Sequence, residues 1–319
     1  MKIQKAVITA AARNERLYPA ATTVQKSMLP VIDTDGVNKP IIQIVAEEAL
    51  QSGIEEICII CAAGDAERYL ESFHTLYETS LKIHHQNGWA ESQAQSIKNI
   101  LDRLTFVVQS EPLGYGHAVY QAKEFVKNEP FLLLHGDYLS ISSLPEKHCS
   151  RQIIDPALEE KCSFAAVNPT IEHQISKYGT LTGRNFKTYS GVYQIEKIIE
   201  KPSISQAELE LKTAGLRAGY YLCFFGMYVF QPVLFDLLSE EIQSSAGKGK
   251  SQAAILLTPV QQKLAKNEKY LALEIQGKRY DTSKKLGLLQ AQIALGLAGK
   301  MRDEVLTTLL QTLADYRKD

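Results

Sequence analysis

No apolar run in this chain approaches the roughly 20 residues needed to span a bilayer. The opening residues, MKIQKAVITAAARNE, lack the long apolar core of a signal peptide. Both absences predict a cytoplasmic protein that does not engage membrane. A dominant charge sign is also missing. The 35 basic side chains meet 36 acidic ones, for a formal charge of -1, so no global field favours nucleic acid. Internal repeats, low-complexity tracts and Pro-rich linkers are absent, which predicts one main domain. Cysteine is scarce: Cys58, Cys61, Cys149, Cys162 and Cys223 are an odd number in a long chain. Cys58 and Cys61 form a C-x-x-C inside the apolar run EEICIICAAG. Strand alternation turns their side chains to opposite faces, which argues against a zinc or redox pair. The compartment is expected to be reducing.

What is present is an ordinary globular composition, 45% hydrophobic and 22% charged over 319 residues, with ample material for a core. Strands are expected at 5–9, 54–61, 104–108 and 131–134, alternating with helices from about residue 40, at 65–76 and at 117–127. That alternation implies right-handed βαβ units. The expected class is α/β, a Rossmann-like, mixed but mostly parallel sheet flanked by helices. Later come strands at 162–168, 195–199, 220–230 and 270–275, and helices from 233 and at 255–265. A flexible basic loop is expected at 244–252 and a turn at 277–281. From residue 283 the pattern is helical, with a break near Gly299 and Lys300. Residues 305–316 are amphipathic, with Leu309, Leu310 and Leu313 on one face for the same chain or a second subunit. The division is 1–295 for the main domain and 296–319 for a C-terminal helical annex.

The chain is organised around residues 7–33. An apolar strand empties into a small-residue loop, the arrangement by which α/β proteins bring backbone N–H groups to phosphates. Arg16 and Lys26 add positive charge there. The strand ends place this loop, residues 109–116 and Asp137 on one rim.

Several short motifs then appear in order: AAARNERLYP at 10–19, QKSMLP at 25–30, QSEPLGYGHA at 109–118, Gly136-Asp137-Tyr138, Tyr178-Gly179, Glu200-Lys201-Pro202 and GKRYDTS at 277–283. On these residues the sequence resembles the bacterial UTP–glucose-1-phosphate uridylyltransferases, within the sugar-1-phosphate nucleotidyltransferases. That family reads A-A-G-x-G-T-R-x-x-P, P-K-E-M-L-P, Q-G-E-P-L-G-L-G-H-A, G-D-D, Y-G, E-K-P and G-x-x-Y-D-T/C-G, and the third motif agrees at eight of ten positions.

The resemblance implies the nucleotide-diphospho-sugar transferase fold, UTP and a sugar 1-phosphate as substrates, Mg²⁺ as cofactor and a homo-oligomer. It implies Arg16 and Lys26 as catalytic phosphate-binding residues. It implies Ala11, Ala12, Gln109 and Gly114 at the nucleotide, and Gly179, Glu200 and Lys201 at the sugar phosphate. It implies Asp137 and Asp281 at the metal. His117 and His135 read as structural polar residues. The departures fall at the same places. Ala12, Asn14 and Glu15 stand where the family has Gly, Gly and Thr. AAILLTP at 253–259 stands for G-E-I-Q-L-T-D, so Ala254 takes the place of a sugar-binding glutamate. Two hypotheses follow: an active transferase with an altered loop, for this or another sugar or for dTTP, or a catalytically impaired nucleotide-sugar-binding or regulatory protein.

Overall fold

The computed structural model describes residues 2–12, 17, 23–83, 88–186, 190–246 and 254–316. The chain opens with β1 (Lys5–Thr9), then the hairpin β2 (Pro30–Ile32) and β3 (Asn38–Pro40), which leads into α1 (Ile41–Gln51). Next come β4 (Glu56–Ala62), α2 (Ala66–Ile83), α3 (Gly88–Leu101), β5 (Leu104–Gln109), α4 (Tyr115–Tyr120), α5 (Lys123–Val126) and β6 (Phe131–His135). The second half holds β7 (Tyr138–Ser142), α6 (Cys149–Glu160), β8 (Ser163–Ile171), β9 (Gly179–Asn185), β10 (Val192–Glu200), α7 (Ile204–Glu210) and β11 (Tyr220–Phe230). It ends with α8 (Val233–Ala246), α9 (Leu257–Asn267), β12 (Tyr270–Glu274), β13 (Gly277–Asp281), α10 (Gly287–Ala298) and α11 (Arg302–Asp315).

β1 lies inside a nine-stranded sheet of order β5-β4-β1-β6-β11-β8-β12-β10-β9. All five of its residues are buried, the pattern of a strand covered on both faces. β4 and β6 flank it in parallel, and β5 extends the parallel set beyond β4. The parallel run stops there. β11, eleven residues of YYLCFFGMYVF, pairs antiparallel with β6, β8 and β9, and β10 pairs antiparallel with β12 and β9. β12 pairs parallel with β8, so the sheet is mixed as expected, but its antiparallel pairings slightly outnumber the parallel ones and it is not mostly parallel. An apolar run encodes burial, whereas direction is set by the connections. The sheet separates two apolar clusters, and Cys58 and Cys61 fall into different ones. Burial pushes their thiols up, to about 12 and about 11.

Three local expectations also change. Residues 277–281 are a strand, not a turn: β13 pairs with β7 as a separate two-stranded ribbon, and GKRYD is too polar to announce it. The helix expected over 117–127 is two short ones, α4 and α5, with Lys127 at φ +57° closing the second. Ser244 belongs to α8, and residues 247–253 of the expected basic loop lie outside the described residues. At the C-terminal end, α10 runs across residue 295, and α11 has no buried residue. Leu309 is half-buried, while Leu310 and Leu313 are 60% and 63% exposed, so the described residues leave most of the apolar face expected there open.

The hairpin that follows Lys26 is fastened by a buried charge cluster. The Lys39 ammonium meets Asp33 at 2.7 Å, Asp35 at 2.7 Å and Glu47 at 2.9 Å, and Glu47 also accepts from Gln43 and Ser96. Burial pulls the Lys39 pKa down, but Glu47 and Asp33 outweigh it and hold the lysine well above its usual range. Lys39→Met leaves three carboxylates without their cation and is expected to cost about 3–5 kcal/mol, read as a lower urea midpoint. A second fastening joins α1 to α6. Glu48 accepts from the Ser150 backbone N–H at 2.6 Å and faces His148 Nδ1 at 3.2 Å. The hydrogen bond to Glu48 raises the His148 pKa above 6.5. Its contribution is present below that value and is lost as pH rises through the raised pKa. His148→Gln should flatten that loss, by less than about 1 kcal/mol after solvent screening, in urea titrations on the two sides of neutrality.

Candidate active site

Parallel strands deliver their carboxyl ends to one rim. The Ala10 N–H donates to the Ile60 carbonyl at 2.7 Å, and the Gly136 N–H to the Thr9 carbonyl at 2.9 Å. The ends of β1, β4, β5 and β6 thus open together into a cavity of about 580 Å³, lined by Ala11, Ala12, Ala62, Ala63, Gln109, Gly114 and their neighbours. A second cavity, about 520 Å³, lies beside it and is lined by Gly179, Glu200, Lys201, Asp281 and by Leu256, Leu257 and Thr258 at the start of α9. Ala12, Lys26, Tyr115, His135 and Asp137 line both. The two cavities form one cleft whose halves meet at Lys26 and Asp137. Arg16, with Arg13, Asn14 and Glu15, lies outside the described residues.

In the first lobe Gln109 is held by its own loop. Its Nε2 donates to the Gly114 carbonyl at 3.2 Å and approaches His117 Nδ1 at 3.1 Å. His117 is thus a structural polar residue, as expected, and what it holds is the Gln109 side chain. The loop is clamped from across the cleft by main chain: the Ile255 N–H donates to Leu113 and the Gly116 N–H to Ile255, both at 2.8 Å. Gly114 sits at φ +111°, and a Cβ there would stand 2.5 Å from the Ile255 carbonyl oxygen. Only glycine fits that close approach.

The two aspartates converge through β13. Asp281 is in register with Tyr138 on β7, and the Thr282 N–H and hydroxyl both donate to the Asp137 carbonyl, at 3.0 and 2.7 Å. Asp137 Oδ2 is ion-paired with Lys26, which opens the short 3₁₀ turn Lys26–Met28. Asp281 Oδ1 accepts from the Ser283 N–H at 3.0 Å and from the Ser283 hydroxyl. Asp281 Oδ2 faces Lys284 at 3.3 Å and the Tyr138 hydroxyl at 3.5 Å. Two buried carboxylates on one rim are hard oxygen donors that suit a divalent cation such as Mg²⁺. Among the described residues no third His, Cys, Asp or Glu joins them. Asp137 and Asp281 would leave such a cation further positions for oxygen ligands.

The floor between the lobes is aromatic. His135 stacks between Tyr115, with centroids 4.7 Å apart, and Tyr138, 4.8 Å apart. Burial pushes the His135 imidazole down and keeps it neutral, and burial raises the Tyr138 phenol. The sequence did carry a signal for this stack, since Tyr115 and Tyr138 stand where the resembled family has Leu and Asp. In the second lobe Glu200 Oε2 accepts from Thr258 at 2.7 Å, and Lys201 lies 3.6 Å from Glu200 Oε1. Lys201 adopts φ +48°, a strained conformation for a non-glycine residue. A Cβ on Gly179 would meet Phe224 at 2.7 Å and Glu200 at 3.0 Å. Apart from Arg16, each site residue expected from the sequence lines this cleft. Gly114→Ala is expected to open the Ile255 clamp, costing about 1–3 kcal/mol of stability. It should weaken nucleotide binding in calorimetric titrations and leave the rest of the cleft folded.

Comparison with known proteins identifies the family. The nucleotidyl transferase family profile matches residues 5–292. A UTP–glucose-1-phosphate uridylyltransferase of Streptococcus pyogenes serotype M3 is 31% identical over 302 residues, 93% of this chain and 90% of the relative. A crystal structure of UDP-glucose pyrophosphorylase complexed with UDP-glucose has a TM-score of 0.71 at 29% identity, over 92% of this chain and 98% of that one. The UDP-glucose pyrophosphorylase of Acinetobacter baumanii shares the fold, with a TM-score of 0.78 at 23% identity over 97% and 99% of the two chains. The chain belongs to the nucleotidyl transferase family, among the bacterial UTP–glucose-1-phosphate uridylyltransferases.

Proposed function

We propose that this enzyme joins UTP to glucose 1-phosphate, forming UDP-glucose and pyrophosphate. The observation that carries the reading is the two-lobed cleft whose halves meet at the Lys26–Asp137 pair. The lobe at Gln109 and Gly114 takes uridine, the amide of Gln109 offering a donor and an acceptor to the base edge. The lobe at Gly179, Glu200 and Lys201 takes the sugar phosphate. A sugar phosphate oxygen attacks the α-phosphorus in line. The new P–O bond forms as the bond to the bridging oxygen breaks, and pyrophosphate leaves with that electron pair. Charge neutralisation and positioning dominate such a transfer. Lys26 stands at the lobe junction to meet charge on the α-phosphate, and Arg16 is assigned to the outer phosphates. Asp137 and Asp281 would hold a Mg²⁺ ion, which would supply further neutralisation of the triphosphate. The bound UDP-glucose of a relative at 29% identity supports the same substrate pair.

One observation favours a second choice of sugar. Ala254 is exposed, and Leu256 lines the second lobe at the position where the family has glutamine. A sugar 1-phosphate with fewer hydroxyls to satisfy fits that wall too. Beyond the site, among the described residues no helix is long and apolar enough to cross a membrane. A homo-oligomer that covers the exposed leucines of α11 is part of the same reading, as are a cytoplasmic location and a C-terminal annex from residue 296. Pyrophosphate release should require UTP, glucose 1-phosphate and Mg²⁺ together. Lys26→Ala should lower kcat by about 10²–10³, and Asp137→Ala should abolish detectable release. Absence of release from folded protein across a panel of nucleotides and sugar phosphates would sink the transferase reading and leave a binding protein.

A further inference from the structure

Each aspartate of the rim carries its own ammonium: Lys26 on Asp137, and Lys284 on Asp281 at 3.3 Å. Lys26 lines the cleft and has a part in the transfer. Lys284 has none so far. Its Nζ donates to the Tyr178 hydroxyl at 2.7 Å and lies 4.1 Å from the centroid of the same ring. Arg279 lies 4.1 Å from that centroid as well, so two cations hold Tyr178. Tyr178 and Asp281 both line the sugar-side lobe. One ammonium thus bridges a carboxylate of the rim to the tyrosine that precedes Gly179.

The donors on Asp281 are unequal. Oδ1 is pinned by the Ser283 N–H at 3.0 Å and the Ser283 hydroxyl, both from the adjacent turn. Oδ2 has longer contacts, 3.3 Å to Lys284 and 3.5 Å to Tyr138. An incoming cation meets its least resistance at Oδ2, and Lys284 is the positive charge standing there. Two like charges at one carboxylate oxygen repel, so the lysine and a divalent cation compete for it.

We propose that Lys284 is a resident counter-ion of Asp281, which competes with the divalent cation and, when the cation binds, is left on Tyr178 as a positive charge for the sugar phosphate. The proposal rests on the assignment of Asp137 and Asp281 to the cation. Lys284 acts here as a positioning residue that couples cation loading to the sugar side. The coupling has a sign a purely structural lysine would not produce: removing the charge strengthens cation binding and weakens sugar phosphate binding.

Mn²⁺ serves as the probe, with free ion followed by electron paramagnetic resonance on the protein without substrates. Lys284→Met should tighten Mn²⁺ binding by about two- to fivefold, the range a partly exposed ion pair supports. In steady state it should raise KM for glucose 1-phosphate several-fold more than KM for UTP. Lys284→Arg keeps the charge and should restore both values toward the wild type. Unchanged or weaker Mn²⁺ binding in folded Lys284→Met overturns the proposal. Asp281→Asn separates the two levels. If it binds Mn²⁺ as the wild type does, the assignment of Asp281 to the cation fails and the proposal goes with it. If Asp281→Asn loses the ion while Lys284→Met matches the wild type, only the counter-ion proposal fails.

Discussion

A lysine and an aspartate cannot both be withdrawn from water unless they face each other, and the junction of the cleft is built on that constraint. Lys26 and Asp137 come from distant parts of the chain, one on a 3₁₀ turn before the hairpin, the other just past β6. Their pairing fixes how the 23–40 segment lies across the strand ends. The Lys39 cluster secures the far side of that segment. Remove either and the two lobes lose their common wall. The desolvated pair is also primed electrostatically, because neither charge is satisfied by water and a polyanion with its cation can replace each partner. The same interaction therefore supports the fold and stands where the two lobes meet.

Much of the first half was legible because its signals are local and mutually consistent. The apolar runs of β1, β4 and β6 and the motif at 109–118 each carry their own physical mark. The second half was less so. The sequence of β11 announced a strand without its direction, and that direction keeps the mixed sheet from being mostly parallel. The β7–β13 ribbon was illegible because its strands, YLSIS and GKRYD, carry little apolar alternation, and strand pairing over such a distance leaves no local trace.

The site shows the same division. Residue identities came from motifs, and the structure supplied their convergence. Nothing in the spacing brings Asp281 beside Asp137; two hydrogen bonds from Thr282 to one carbonyl do. The stack of Tyr115, His135 and Tyr138 was visible only as scattered departures from a pattern. His117 was read as a structural polar residue, but its partner was not legible, because a histidine eight residues away on a helix carries no sign of what it holds.

The clamp between residues 113–116 and Ile255 is made of main-chain groups alone. Such bonds do not depend on which side chains accompany them. The stretch AAILLTP can therefore exchange glutamate for alanine or glutamine for leucine without loosening the loop it holds. Residues 254 and 256 can thus differ in chemistry while the loop at 113–116 keeps its shape, so what lines the far wall is set independently of what holds that loop.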